Sequence, residues 1–366
     1  MRRIGVVTTS RAEYGILRPV LHRITSSYPE VQLILYVGGA HLSPEFGNTW
    51  KQIEFPIAEK VECLMSSDTP EGIAKSIGIT TYSFAQAYAR TPVDILLVTG
   101  DRYEAMGAAL AAVPFKIPIA HLGGGDLTYG AFDEEFRHAI TKLAHIHFTY
   151  SHDQAEIVRR LGEQSERIIV TGNPALDEIC LPGNIPEFAI PDDFLLCIFH
   201  PVTLEYEHTE RYIDALLSAL SKAGRYVVFV LPNADTNGRL IIRKIRKYCE
   251  HHPAQAHANL TPDIFHLLMR EAVAMVGNSS AGLMEAPSLG LPVVNIGTRQ
   301  EGRLRAKNVI DVSYSDILEG INQACDPLFR ESIRDIENPY GDGQAAERIV
   351  KALMDTPLDI VKKVMC

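Results

Sequence analysis

Apolar runs of strand length recur along this chain, each followed by a longer stretch in which apolar positions return every three or four residues. In the first half the runs are residues 4–8, 32–37, 95–99, 117–122, 146–150 and 167–171. Nearly continuous Val, Ile and Leu, rather than strict alternation, is what a strand covered on both faces requires, so the pattern predicts a parallel sheet packed between helices. From 180 to 193 the rhythm breaks at Pro182, Gly183, Pro186 and Pro191, which predicts a linker. It then resumes with strands at 194–199, 226–231, 272–276 and 292–296, separated by helical spacing at 212–222 and 240–250. The expected fold class is α/β: two Rossmann-like, doubly wound domains, 1–180 and 190–342, flanking a cleft. A helix within 343–366 is expected to cross back to the first domain.

Ligands of such sheets gather at the carboxyl ends of the strands, so those ends are where the chemistry is expected. After the first strand comes Ser10-Arg11-Ala12-Glu13-Tyr14, after the run at 95–99 comes Gly100-Asp101-Arg102, and after the next His121-Leu122-Gly123-Gly124-Gly125-Asp126. The second half offers His200-Pro201-Val202-Thr203, Pro232-Asn233-Ala234-Asp235, Gly277-Asn278-Ser279-Ser280-Ala281-Gly282 and Gly297-Thr298-Arg299-Gln300. Polar groups at so many strand ends favour an enzyme over a binding-only scaffold.

The Gly277 stretch reads as a strand, a turn and a helix beginning near Ser280, which presents backbone N–H groups suited to a diphosphate. Glu285 is placed to accept both hydroxyls of a ribose. An ordinary turn, with small residues that only permit close packing, has the same pattern. Asp101 suits proton transfer, although an aspartate there also caps helices. Asp133 and Arg137, four apart, share a helix face, which fits either an acid/base carboxylate or a capping ion pair. His200 titrates near neutral pH and can donate to a phosphate or a departing oxygen. Arg11 and Arg299 are the cations best placed to bridge phosphate oxygens.

Composition narrows the field. A formal charge of −10 over 366 residues, with no large Lys/Arg cluster, argues against a nucleic-acid binder. Six scattered cysteines without a C-x-x-C pair suggest neither zinc nor a disulfide framework and point to a reducing, cytoplasmic setting. The apolar run within residues 1–10 is too short for a signal core or a membrane span. His121, His138 and His145 form no recognisable ligand set, although the last two stand one heptad apart on an expected helix; no metal is expected.

Taken in order, the motifs Ser10-Arg11-Ala12-Glu13-Tyr14, Gly38-Gly39-Ala40-His41-Leu42, Thr99-Gly100-Asp101-Arg102, Arg137-His138-Ala139-Ile140-Thr141-Lys142, His200-Pro201-Val202-Thr203, Gly277-Asn278-Ser279-Ser280, Gly297-Thr298-Arg299-Gln300 and Tyr340-Gly341-Asp342-Gly343 resemble the hydrolysing UDP-N-acetylglucosamine 2-epimerases and their relatives acting on diacetamido-sugar nucleotides. The resemblance runs over nearly the whole chain. It implies a glycosyltransferase-B architecture with UDP held chiefly by the C-terminal half, no cofactor, and a homodimer or homotetramer. It makes Asp101 and Asp133 the acid/base carboxylates beside His200. Arg11, Glu13, Asp126, Arg137, Asn233, Ser279, Ser280, Gly282, Glu285 and Arg299 become the expected substrate or UDP contacts.

The implied chemistry is loss of UDP from C1 as the C2 proton is removed, then addition of water across the resulting glycal. One position departs from the pattern. Sialic-acid members carry a glutamate where this chain has Gly123, so Asp126, Glu134 or a water would supply its role, or a larger substrate substituent would fill the space. UDP-N-acetylglucosamine is the first expected substrate and a UDP-2,4-diacetamido-2,4,6-trideoxyhexose the second. A glycosyltransferase and a non-catalytic nucleotide-sugar sensor are the other readings compatible with the motifs.

Overall fold

The structure, a computed structural model, describes residues 1–65, 67, 69–129, 131–179, 188–232, 237–258, 260–358, 361 and 362. The chain divides into two compact units, the first comprising Met1–Asp126, Asp133–Glu178 and Tyr340–Cys366, the second Leu127–Phe132 and Ile179–Pro339.

In the first unit β1 (Arg2–Thr8), β2 (Val31–Gly38), β3 (Ile57–Val61), β4 (Ile95–Thr99), β5 (Ile119–Leu122), β6 (Ile146–Thr149) and β7 (Ile168–Val170) form a seven-stranded parallel sheet in the order β3-β2-β1-β4-β5-β6-β7. Its helices are α1 (Arg11–Ser27), α2 (Pro70–Arg90), α3 (Tyr103–Ala112), α4 (Asp133–Leu143), α5 (His152–Arg160) and α6 (Ala175–Ile179). Every residue of β4 is buried, as expected of a central strand covered on both faces. Under α2 and α3 the core is aromatic: Tyr36 meets Tyr88 edge-on at 5.2 Å, with Phe84 wholly buried beside them. Burying a side chain the size of Phe84 contributes about 2–3 kcal/mol.

The second unit repeats the plan with six strands: β8 (Phe194–Ile198), β9 (Tyr226–Val230), β10 (Ala254–His257), β11 (Ala274–Gly277), β12 (Val293–Ile296) and β13 (Val309–Val312), in the order β10-β9-β8-β11-β12-β13. Its helices are α7 (Thr209–Ala223), α8 (Gly238–Cys249), α9 (Pro262–Glu271), α10 (Ala281–Met284), α11 (Ile317–Ala324) and α12 (Pro327–Ser332). Alternation along β8 makes one core on each face of the sheet. Leu195, Cys197 and Phe199 join the cluster under α7, α8 and α11, while Phe194, Leu196 and Ile198 join the one facing α9.

A last helix, α13 (Ala345–Asp355), belongs to the first unit and packs on α1. Its start is capped by Asp177, whose carboxylate accepts from the N–H groups of Ala345 at 2.9 Å and Ala346 at 2.7 Å.

Three expectations need correction. Strands β3, β10 and β13 were not expected, and each forms an edge of its sheet. Helix α4 ends at Leu143, so His145 is not a heptad partner of His138; its Nδ1 accepts from the Ile119 N–H at 3.2 Å. Helix α10 is a single turn, so the helix expected after Ser280 is too short to carry a large dipole. Most of the expected linker lies outside the described residues.

Strand order places the chemistry. In the first sheet the connections run in opposite directions from β1 and β4, and in the second from β8 and β11, so each pair marks a topological switch point. Loops leaving such a pair diverge and open a crevice. The loops in question carry Ser10–Glu13 and Gly100–Arg102 in one unit and His200–Thr203 and Asn278–Ser280 in the other. Among the described residues no helix is long and apolar enough to cross a membrane.

Candidate functional site

At the switch point of the first unit the arrangement is ionic. Arg137, on the second turn of α4, is 1% exposed, and its NH2 donates to Oδ2 of Asp101. Its NH1 donates to the backbone carbonyl of Asp126 at 2.7 Å and lies 3.5 Å from Oε2 of Glu134. Burial alone would favour loss of the guanidinium's proton, but Asp101, Asp126 and Glu134 outweigh it and hold Arg137 above its ordinary range. A carboxylate hydrogen-bonded to a guanidinium is held in one position, which a group that exchanges protons with a bound substrate requires. The spacing anticipated an Arg137 partner on its own helix; the pairing with Asp101, on the loop after β4, is a tertiary contact. Asp133 is the first residue of α4, where a helix N-terminus favours negative charge.

His121 holds this loop in place. Its Nε2 donates to the Gly100 carbonyl at 2.7 Å, leaving Nδ1 to accept from the Thr141 hydroxyl at 3.1 Å. Complete burial pushes its pKa down to about 3, so the ring is neutral and that tautomer is kept. The carbonyl immediately before Asp101 is thereby tied to both β5 and α4.

Other expected contacts in this unit have different surroundings from those the sequence suggested. Glu13 is turned inward: its Oε2 accepts from the Thr9 N–H at 2.6 Å, the Thr9 hydroxyl at 2.7 Å and the Ser10 N–H at 3.1 Å, closing a capping box at the start of α1. Burial raises its pKa to about 7 despite the nearby Arg102. The expected ligand contact is therefore better described as a brace for the turn that carries Arg11. Arg11 opens α1, and desolvation lowers its pKa to about 10, so it remains cationic at neutral pH. Asp126 is likewise buried, its Oδ1 accepting from the Gln154 amide at 3.1 Å.

Gly123 has φ +90, and a Cβ built there would stand 2.9 Å from the Tyr150 hydroxyl. Backbone conformation and Tyr150 together disfavour a side chain at this position.

The second unit joins its strand ends mainly through amides and backbone groups. The Asn278 side chain accepts from the His200 N–H at 2.7 Å and donates to the His200 carbonyl at 2.9 Å, stitching the loop after β8 to the loop after β11. The backbone carbonyl of Asn278 in turn accepts from Nε2 of Gln300 at 2.7 Å and from NH1 of Arg299 at 3.2 Å. Three loops thus converge on one residue. Gly277 makes this possible, because a Cβ at its φ of +141 would lie 1.9 Å from the Ile198 carbonyl oxygen.

Ser279 accepts from the Ala281 N–H at 3.4 Å, and Ser280 precedes α10. Gly282 lies close against the sheet: a Cβ there would meet Val293 at 2.8 Å, so this glycine permits helix-on-strand packing. Glu285 follows α10, with Oε2 3.2 Å from Nε2 of His266. Asn233 lies outside the described residues.

Sequence reasoning missed Asn278 and Gln300 as organisers. Both are almost wholly buried; Asn278 directly follows β11 and Gln300 stands four residues beyond β12, and an amide just past a strand end is the signal that could have found them. Among the described residues no group of three or more His, Cys, Asp or Glu side chains could hold a metal ion.

Two parallel-sheet Rossmann-like units, each with polar loops at its switch point, define the glycosyltransferase-B class of α/β proteins. Within that class, residues 23–354 match the UDP-N-acetylglucosamine 2-epimerase family, and the chain belongs to it. It is 34% identical over 375 residues to the GDP/UDP-N,N'-diacetylbacillosamine 2-epimerase (hydrolyzing) of Campylobacter jejuni, covering 98% of this chain and 97% of that protein. It is 34% identical over 371 residues to the UDP-N,N'-diacetylbacillosamine 2-epimerase (hydrolyzing) of Legionella pneumophila, with 98% and 97% covered. In fold it is similar to the crystal structure of UDP-GlcNAc 2-epimerase from Neisseria meningitidis bound to UDP-GlcNAc. There the TM-score is 0.80 at 21% identity, covering 97% of this chain and 100% of that one.

Proposed function

We propose that this protein is a hydrolysing 2-epimerase of a UDP-linked 2-acetamido sugar, with a 2,4-diacetamido-2,4,6-trideoxyhexose as its sugar. The observation that carries the reading is the Asp101–Arg137–Glu134 cluster beside Asp133 at the first switch point, which offers fixed carboxylates for proton traffic on a hexose. A binding module or a transferase has less use for them, since a transferase needs at most one base for its acceptor. Asp101 and Asp133 are the proton-transfer carboxylates, Arg137 their counter-charge and Arg11 a cation for the anionic substrate. His200, Ser279, Ser280, Glu285 and Arg299 are assigned to the nucleotide and its departure from C1.

The C2 hydrogen is not alpha to a carbonyl, so direct deprotonation is disfavoured and elimination is the accessible route. One carboxylate takes the C2 proton while the C1–O bond breaks and UDP leaves with its electron pair. Water then adds, its oxygen to C1 and a proton to C2, giving the free 2-epimer.

The diacetamido sugar is favoured by the two relatives at 34% identity, both named for diacetylbacillosamine, and by the glycine at 123. UDP-N-acetylglucosamine is the second reading, favoured by the family's description. Incubation with each UDP-sugar and with GDP-diacetylbacillosamine in deuterated water, followed by NMR, tests the choice. Free 2-epimer deuterated at C2 from the diacetamido substrate is the expected product. The corresponding product from UDP-N-acetylglucosamine alone would select the second reading. A nucleotide-linked epimer, or no turnover of any of the three, would refute the hydrolysing assignment.

A further inference from the structure

Inverting C2 by elimination and hydration requires protons to move twice, off the carbon and back on, while water is activated at C1. One carboxylate does not suffice. Glu134 stands on the first turn of α4, 16% exposed, and Asp101 is 24% exposed; both lie against the same guanidinium, itself 1% exposed. Arg137 does not depend on Glu134 for its own hydrogen bonding at NH1, because the short bond from that nitrogen goes to the Asp126 carbonyl at 2.7 Å and Glu134 is at 3.5 Å. Its other oxygen, Oε1, lies 3.4 Å from Nε2 of His138. Asp133, the first residue of α4, is already assigned to the C2 proton, and Asp126 is buried against Gln154 and so is poorly placed to reach a substrate, which leaves Glu134 for the water.

The geometry points to Glu134 as a further catalytic carboxylate, acting in the hydration step of the reaction proposed above, on which this inference rests. In the first step Asp101 accepts the C2 proton, the C–H pair becomes the C1–C2 double bond, and UDP departs from C1. In the second, water bonds to C1 through oxygen and gives its proton to Glu134, while the double-bond pair takes a proton from Asp133 at C2. Glu134 returns its proton to Asp133, so both end as they began, and the proton left on Asp101 passes to solvent; the balance is nucleotide sugar plus water to free sugar, UDP and one proton.

The test is Glu134→Gln, which preserves shape and an oxygen that can still accept from Arg137 but cannot shuttle a proton. Released UDP, 2-acetamidoglycal and free sugar are followed separately in the full-length protein on whichever nucleotide sugar the native protein turns over. UDP release within about 3-fold of native, free sugar down by about 100-fold or more, and accumulating glycal are expected, since a proton-transfer group contributes 10²–10⁴-fold. Glu134→Ala should show the same split, and Glu135→Gln, at the exposed neighbouring position, should behave as native. Asp101→Asn should abolish UDP release itself. If Glu134→Gln makes free sugar at the native rate, or loses UDP release and free sugar in parallel, the assignment to hydration is overturned. No turnover by the native protein would overturn both this inference and the reading beneath it.

Discussion

The two switch points share a topology and differ in chemistry. In the first unit the strand-end side chains are charged and paired: Arg137 with Asp101 and Glu134, and Arg102 with Glu104, whose carboxylate is fully buried. In the second the same topological position is organised by an asparagine amide, a glutamine amide and backbone carbonyls, with the Arg299 guanidinium donating to one of those carbonyls rather than to a carboxylate. Proton transfer needs groups whose charge is held by an equally fixed counter-charge. A turn that receives an anion works better with neutral donors in fixed positions, because the ligand supplies the charge and no internal ion pair has to be broken first.

The comparison breaks most visibly at Arg137. Arg137→Met leaves Asp101 and Glu134 facing each other without a cation. We expect kcat to fall by about 1000-fold or more and stability to urea unfolding to drop by about 3–5 kcal/mol, the usual cost of removing one partner of a buried pair. Activity within 10-fold of native would mean that the ionic cluster is structural only.

Asn278→Ala probes the neutral half. It removes two hydrogen bonds to His200, at a cost of about 2–3 kcal/mol, and should weaken UDP binding by calorimetry by about 10–100-fold while kcat at saturation changes by only a few-fold. A large fall in kcat with unchanged UDP affinity would reverse the division of labour.

Glu163 supplies a comparator away from both switch points. It is buried against Lys142, His147 and Lys362, whose hydrogen bonds overcome the cost of burial and lower its pKa to about 2. Because the folded pKa is depressed, its stabilisation is present above the unfolded value near 4.5 and is lost as pH falls through about 2. Glu163→Gln should cost about 2 kcal/mol at pH 7 and less at pH 3, with kcat nearly unchanged. Equal costs at both pH values would show that the carboxylate's charge is not what matters there.

Glu13 gives the smallest effect and the opposite sign. Its folded pKa, about 7, is raised, so the stabilisation it contributes is fully present below about 4.5 and is lost as pH rises through 7. Glu13→Gln should flatten the decline in urea midpoint between pH 5 and 7.5, a change of about 1–2 kcal/mol across that range. A variant with the native slope would show that Glu13 is not the group that titrates there.

Much of the fold is legible because central parallel strands are buried on both faces and read as unbroken apolar runs; β4 and β8 are the clearest. Edge strands are covered less completely, so Ile57–Val61 alternates between half-buried and exposed positions and Ala254–His257 is only half-buried throughout, and neither stands out from a loop. Edge strand β7 is visible because Ile168–Val170 is wholly aliphatic. The motifs lead to the strand ends at the switch points but not to the direction of each side chain. Glu13 lies in the first turn of α1 and Gly282 in α10, yet one faces its own backbone turn and the other lies against Val293.

Sequence alone therefore determined the alternation of strand and helix, the two-unit plan, the family, and which strand ends carry polar and ionisable residues, because each follows from local periodicity or from residues close along the chain. Tertiary structure decided the rest: that Asp101 meets Arg137 across 36 residues, that Asn278 joins His200 across 78, and that Tyr150 stands against the bare backbone of Gly123. Those pairings depend on strand order and on how helices seat against the sheet, and a switch point exists only once strands distant in sequence have become neighbours.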